Sequence, residues 1–421
     1  MTTQIMNHSA LKYDHILSFP VPISDHVFGN NQGFNNFAPI VDFVITNNRG
    51  ERIKRQKTNY MLNPCLHLNM MNNCCLSCGK TLLAPFNYNP VNFNFRVHDN
   101  SKVGSLLNQK KLYLVLDLDH TLLNSTRLDK LDLDEEYLKT RTTQNSPNND
   151  LFILDKLGVM TKLRPFVHKF LQEANKMFEM YIYTMGDRAY ALEMAKLLDP
   201  ENQYFQTRII SRDDCPNQDR KGLNVLQVPE KLGLVLDDTE AIWQSNKDNL
   251  IVMDRYFYFS SGFRELGYKN CKSLAQLKRD EDEFDGALAT ILRVLTRIHH
   301  DFFYINPQYV SVRDARQVLK TNKRQVLRDC KIVFSAVFPR NFVAANHRLW
   351  KIAEELGATC STELDSSVTH VVSTDGGTEK SLWAVRGSKF LVNPKWIEAA
   401  LFLWRRQLED KFPVAKCPKR V

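Results

Sequence analysis

Residues 111–123 read KLYLVLDLDHTLL, and no other stretch constrains the fold as tightly. The apolar run from Leu112 to Leu116 is unbroken, as in a strand buried on both faces of a parallel sheet. Asp117 and Asp119 follow with Leu118 between them, and Thr121 comes next in the pattern. Period-two alternation puts both carboxylates on one side of the chain if it stays extended. Ligands of open α/β sheets bind just beyond the carboxyl ends of the strands. The pattern therefore predicts an α/β fold with two acids at an active-site position.

Such a pair suits phosphoryl transfer. One carboxylate can attack phosphorus and form an aspartyl-phosphate. A second can protonate the leaving group and then deprotonate water. Two anions facing a phosphate need a cation, and Mg²⁺ is the usual hard, oxygen-liganded choice. An Asp pair that only opens a turn is the plainer alternative. The apolar run directly before it favours the chemical reading.

The rest of the chain supplies candidate partners. Leu163-Arg164-Pro165 sets a proline at a helix start, and Phe166, Phe170, Ala174 and Met177 then fall at helical spacing. A second buried strand runs from Met180 to Tyr183, with Thr184 at its end and a glycine soon after. A hydroxyl and nearby backbone N–H groups there can grip a phosphoryl oxygen. A helix from Asp187 to Leu198 carries Arg188 in its first turn. A third core strand, Leu232 to Leu236, ends in Asp237 and Asp238. Adjacent acids point in different directions, so one can ligate Mg²⁺ while the other orients a lysine or a metal-bound water. After Asp119 the chain runs through 125–150, whose final part is polar and Asn-rich and reads as a surface loop or flap. Leu288, Ile291, Leu292, Leu295 and Ile298 share one face of an amphipathic helix, with His299 and His300 at its end as structural residues.

Upstream, Cys65, His67, Cys75 and Cys78 form C-x-H followed by C-x-x-C-G, a candidate structural Zn²⁺ site in which Cys74 is a competing ligand. A Cys-rich packing segment is the alternative. Residues 1–60 are Asn-rich and aperiodic and read as mostly disordered, with a basic run at 52–57 that could serve nuclear import.

Composition narrows the partners. Of 421 residues, 43% are hydrophobic, enough for two or three cores. The net charge of +9 suits anionic partners such as phosphopeptides or nucleic acid, and charge alone does not choose between them. No apolar stretch approaches 18 residues and no secretory-signal pattern opens the chain, so no membrane association is expected. Nine cysteines, an odd count, suggest a reducing compartment without a disulfide framework.

LVLDLDHTLLN resembles the haloacid dehalogenase-like phosphatases, in the branch that dephosphorylates the C-terminal domain of RNA polymerase II. The resemblance runs from about Cys65 to the end of the chain. It implies a Mg²⁺-dependent protein serine/threonine phosphatase in the nucleus, acting on the phosphorylated heptads of that domain without direct nucleic-acid binding. Asp117 is then the nucleophile, Asp119 the general acid and base, and Thr184 and Lys221 the phosphoryl stabilisers. Lys221 is preferred over Arg220 because relatives carry Lys before a small and an apolar residue. Asp117, the Asp119 main-chain carbonyl and Asp238 are the implied metal ligands, with Asp237 the supporting acid. Thr121, Arg164 and Arg188 are implied phosphate or substrate contacts. Asp199, Phe205, Arg208, Arg212, Trp243 and Asn249 also match. Thr239 departs from the pattern, since relatives often carry Arg or Ser there.

Farther on, a strand KIVFSAVF, a helix closed by Gly357, the strand VTHVVST and a late helix with Trp396 resemble, in that order, a BRCT domain over 325–421. This small α/β domain implies contacts with other transcription proteins. Ser335 and Lys380 match the phosphate-holding positions, although Ala336 replaces the usual Gly. The expected division is a Cys/His-containing segment at 61–102, a parallel-sheet phosphatase domain at 103–305, a basic connector at 306–324 and the BRCT domain. A small-molecule phosphatase and a silent phosphopeptide adaptor are the rival readings.

Overall fold

The computed structural model describes residues 70–71, 74–75, 100–141, 150–216, 219–268, 270–339 and 341–415. Residues 25–97 form a unit of their own. Its described part is a two-stranded antiparallel ladder of β1 (Met70–Met71) and β2 (Cys74–Cys75), with Met70 opposite Cys75. The expected disorder of 1–60 lies outside the described residues. So do Cys65, His67 and Cys78, together with the side chain of Cys75.

The larger unit begins with α1 (Asn100–Asn108) and β3 (Leu112–Leu116). All five β3 residues are buried, as a central parallel strand requires. The chain then makes β4 (Leu123–Arg127), α2 (Tyr137–Arg141), β5 (Leu151–Leu154) and β6 (Val159–Leu163), followed by α3 (Val167–Asn175) and β7 (Phe178–Tyr183). Next come α4 (Arg188–Leu198), β8 (Ile209–Ile210), β9 (Gly233–Asp237), β10 (Leu250–Val252), α5 (Ser260–Glu265) and α6 (Ala287–Phe303). The main sheet is parallel throughout, in the order β10-β9-β3-β7-β8. The carboxyl ends of β9, β3 and β7 therefore lie side by side.

The polar, Asn-rich end expected as a flap falls on 142–149, outside the described residues. β4, β6 and β5 form an antiparallel sheet in that order. Lys162 on β6 is fully buried, and its Nζ pairs with Asp150 at 2.8 Å and Asp280 at 2.5 Å. In α6, Leu288, Ile291, Leu295, Ile298 and Phe302 are buried, as the period-3.6 stripe predicted. His299 at its end donates from Nε2 to the Lys110 carbonyl at 2.6 Å.

The basic stretch 306–324 is folded. It contains α7 (Ala315–Lys323), whose Ala315 and Leu319 belong to the same core as β3 and β9. The first core thus extends past the boundary expected at 305.

Then come β11 (Lys331–Ser335), α8 (Arg348–Glu355), β12 (Thr359–Ser361), β13 (His370–Ser373), α9 (Glu379–Arg386), β14 (Phe390–Val392) and α10 (Lys395–Leu403). The sheet is parallel in the order β12-β11-β13-β14. Alternation along β11 decides the layers. Ile332 and Phe334 pack with residues of α8 and α10, whereas Val333 packs with Ala384 of α9. Gly357 closes α8 at φ 99°, and a Cβ there would meet the Arg324 carbonyl oxygen at 1.9 Å. Only glycine fits both demands.

Candidate active site

β3 ends at Leu116, and the chain does not stay extended through the acid pair. The N–H groups of Thr121, Leu122 and Leu123 gather on the Leu118 carbonyl, and His120 takes a left-handed φ of 62°. The turn is held by His120 Nδ1, which donates to the Tyr256 carbonyl at 3.0 Å. Asp119 still shares the site, because it feels the charges of Lys221 and Asp238.

At the centre is a buried ion triad. Lys221 Nζ donates to Asp117 Oδ1 at 2.5 Å and to Asp237 Oδ2 at 2.7 Å. Its neighbour Arg220 is exposed. Tyr183 and Trp243 wall the ammonium at 5.5 and 5.9 Å from their ring centroids. Burial alone would lower the Lys221 pKa, but the two carboxylates outweigh it and hold the amine above its ordinary value. Burial, with Asp237 alongside, raises Asp117 well above the usual carboxylate range despite Lys221. Burial likewise raises Asp237.

Hydrogen bonds separate the roles of the acids. Both Asp237 oxygens are occupied: Oδ2 accepts from Lys221 and from Trp243 Nε1 at 2.9 Å, and Oδ1 from the Thr239 N–H at 2.8 Å. Asp238 Oδ2 accepts from Arg255 Nε at 2.6 Å and Thr239 Oγ1 at 3.0 Å. Among the described residues, Asp117 Oδ2 and Asp238 Oδ1 accept nothing. Carboxylate oxygens of Asp117, Asp237 and Asp238 lie within 4.8 Å of one another. An all-oxygen donor set of three acids, facing one lysine and one arginine, fits a hard divalent cation. Asp117 and Asp238 are the acids with a free oxygen to give it.

Thr184 follows β7 and is buried, and its Oγ1 accepts from the Gly186 N–H at 3.0 Å. Thr121 is fully buried, and its Oγ1 has no hydrogen-bond partner among the described residues. The arginines are placed differently. Arg164 is 1% exposed; Nε and Nη2 clasp Glu281 at 2.9 and 2.7 Å, and Nη1 donates to the Thr121 carbonyl at 3.0 Å. It supports the acid loop from behind. Arg188 donates to the Ile209 carbonyl at 2.6 Å and pairs with Asp214 at 3.0 Å, pinning α4 to β8. Neither is brought to the acid cluster. Ser335 Oγ bonds Thr378 Oγ1 at 2.7 Å at the start of α9, while Lys380 Nζ reaches the Thr362 carbonyl at 2.7 Å.

Two residues had no sequence assignment. Arg255 holds both Asp238 and, through Nη2 at 3.1 Å, Thr239 Oγ1. A cation three residues beyond an edge strand gives little signal in sequence. Tyr190 OH donates to Asp119 Oδ1 at 2.6 Å. Its signal was its place in the first turn of the helix that follows Thr184.

A family model described as NLI interacting factor-like phosphatase matches residues 112–282, and one described as twin BRCT domain matches 337–396. The chain is 48% identical over 388 residues to RNA polymerase II C-terminal domain phosphatase-like 4 of Arabidopsis thaliana, covering 88% of each protein. The chain belongs to the RNA polymerase II C-terminal domain phosphatase-like family. It is therefore a phosphatase. It is also 38% identical over 331 residues to phosphatase-like 3 of the same plant, covering 76% of this chain and 26% of that longer protein. In fold it resembles the solved structure of Fcp1, an essential RNA polymerase II CTD phosphatase. That likeness has a TM-score of 0.59 at 24% identity and covers 75% of this chain and 99% of that one. The haloacid dehalogenase-like sheet and the smaller BRCT sheet are as the sequence implied. No described helix is long and apolar enough to cross a membrane.

Proposed function

We propose that this phosphatase removes phosphate from serine or threonine in the heptad repeats of the RNA polymerase II C-terminal domain, through an aspartyl-phosphate on Asp117. The observation that carries the chemistry is the triad of Asp117, Lys221 and Asp237, set at the carboxyl ends of neighbouring parallel strands. The substrate rests on the relatives' names.

The Asp117 carboxylate attacks phosphorus as the bond to the serine oxygen breaks. Lys221 and Thr184 offset the charge gathering on the phosphoryl oxygens. Asp119, raised in pKa chiefly by burial, gives its proton to the leaving oxygen. It then takes a proton from the water that attacks the aspartyl-phosphate, which releases inorganic phosphate and restores Asp117. Asp117, the Asp119 main-chain carbonyl and Asp238 would hold Mg²⁺, which when bound neutralises the anions that would otherwise repel the phosphate. The BRCT sheet is assigned to docking with other transcription proteins, and the nucleus is the place of action. A structural Zn²⁺ on Cys65, His67, Cys75 and Cys78 rests on spacing alone; metal analysis would show about one Zn²⁺ per chain.

The test is turnover of a phosphorylated heptad peptide with and without Mg²⁺. Phosphate release that requires Mg²⁺ and vanishes in Asp117→Asn is expected. Equal release without divalent cation, or an active Asp117→Asn, would refute the assignment.

A further inference from the structure

We propose that Tyr190 is the positioning residue for the leaving-group acid, holding one oxygen of the Asp119 carboxyl so that the other is presented to the leaving group. This rests on the reading of Asp119 as the general acid. Three hydroxyls form a chain that ends on that carboxyl. Tyr190 OH donates to Asp119 Oδ1 at 2.6 Å, Ser125 Oγ lies 2.7 Å from Tyr190 OH, and Thr161 Oγ1 lies 2.8 Å from Ser125 Oγ. Each hydroxyl has one proton. With the Tyr190 proton given to Asp119, the Tyr190 oxygen can accept from Ser125, and Ser125 in turn from Thr161; Met194 Sδ, at 4.0 Å from Ser125 Oγ and 3.7 Å from Thr161 Oγ1, is a second acceptor for both. Oδ1 of Asp119 is the acceptor in that arrangement. One oxygen is held by Tyr190 and the other is left for the substrate.

The turn before α4 is shaped around this tyrosine. A Cβ at Gly186 would come within 2.5 Å of Tyr190 Cδ1, so glycine is what lets the ring lie there. Asp187 caps α4 by accepting from the Tyr190 N–H at 2.8 Å. Ser125 and Thr161 sit on β4 and β6, opposite each other in register. The acid is therefore tied to the antiparallel β4-β6-β5 sheet as well as to the main sheet.

The experiment uses the full chain with Mg²⁺ and compares Tyr190→Phe and Asp119→Asn on a phosphoserine heptad peptide and on aryl phosphates of graded leaving-group pKa. A hydrogen bond from a tyrosine to a neutral carboxyl is worth about fivefold in rate. Tyr190→Phe should lose about that factor in kcat on the phosphoserine peptide, with KM unchanged and kcat on p-nitrophenyl phosphate nearly retained. Its kcat should fall more steeply with leaving-group pKa. Adding Tyr190→Phe to Asp119→Asn should cost nothing further, because the group it positions is already gone. Equal losses on both substrates, a change confined to KM, or additive losses in the double variant would overturn the proposal. If Asp119→Asn itself shows no leaving-group dependence, the acid assignment fails first. If Asp119→Asn shows it and Tyr190→Phe does not, only the positioning role fails.

Discussion

Lys221 sets the charge balance of the site. It is 3% exposed and bridges two carboxylates, each raised in pKa by burial. Lys221→Met should leave both anions buried and uncompensated, at a cost of about 3–5 kcal/mol. Thermal unfolding would measure that loss, and turnover should vanish with it. Arg164 offers a contrasting test. Its fork is spent on Glu281 and the Thr121 carbonyl, so Arg164→Lys should lose stability and kcat together with little change in KM, because lysine cannot reproduce the bidentate clasp. A large rise in KM in a fully stable variant would return Arg164 to substrate binding. These cases show what sequence can reach at this scale. Asp117, Asp119, Asp237 and Asp238 were legible because acids immediately after apolar runs mark strand ends. Lys221 needed the family resemblance, since no strand precedes it. Arg164 and Arg188 could not be told from phosphate contacts, because a pattern of residue types does not say which acid a cation meets. Glu281 lies 117 residues from Arg164 and Asp214 lies 26 from Arg188.

At the scale of elements, strands β3, β7 and β9 were readable because burial on both faces leaves largely apolar runs. β4 was not. It is Leu123–Arg127, LNSTR, a polar strand whose Ser125 finds its partners in Thr161 of β6 and Tyr190 of α4 and whose Asn124 accepts from the Phe259 N–H. β13 carries a pH-dependent feature of its own. His370 is fully buried between the Phe390 and Trp396 rings, and its Nε2 faces Glu409 Oε1 at 3.2 Å. Burial lowers its pKa from 6.5 to about 4. The unfolded chain then binds a proton between those values that the folded one refuses. Stability of the BRCT sheet is full above pH 6.5 and declines as pH falls toward 4, by up to about 3 kcal/mol. Denaturant midpoints across that window should fall with pH, and His370→Phe should flatten the slope. Gly357→Ala is the matching packing test. The approach to the Arg324 carbonyl adds to the left-handed strain of about 1–2 kcal/mol, so a loss above that range is expected in the same measurement.

At the scale of the whole molecule, the division of labour depends on where the first core ends. The resemblance set the connector at 306–324, yet Leu319 is 3% exposed inside the core of the phosphatase sheet. Burial of one leucine is worth about 1.5–3 kcal/mol, so a cut at Tyr304 removes packing as well as charge. The basic composition hid this, because an amphipathic helix with Arg316, Lys320 and Lys323 on its outer face reads as a solvated run. The BRCT side reaches back through Trp404, which packs against both cores, and through Arg348, whose Nη2 meets Glu240 at 3.2 Å. Glu240 is only two residues past Asp238. That pair is more than a third exposed on both sides and contributes no more than about 1 kcal/mol. Asp237 and Asp238 keep their own ties to Lys221, Trp243, Thr239 and Arg255, all upstream of Arg324. A chain ending at Arg324 should therefore hydrolyse p-nitrophenyl phosphate with kcat within about twofold of the full chain, and should melt at a higher temperature than one ending at Tyr304. On a long phosphorylated tail it should lose efficiency, while on a single-heptad peptide it should not, because a tethered second site raises effective concentration only for substrates long enough to span both. Loss of aryl-phosphate activity in a folded 1–324 chain would mean that the Arg348–Glu240 contact holds the metal loop in its working position, and docking would then not be the BRCT domain's only contribution.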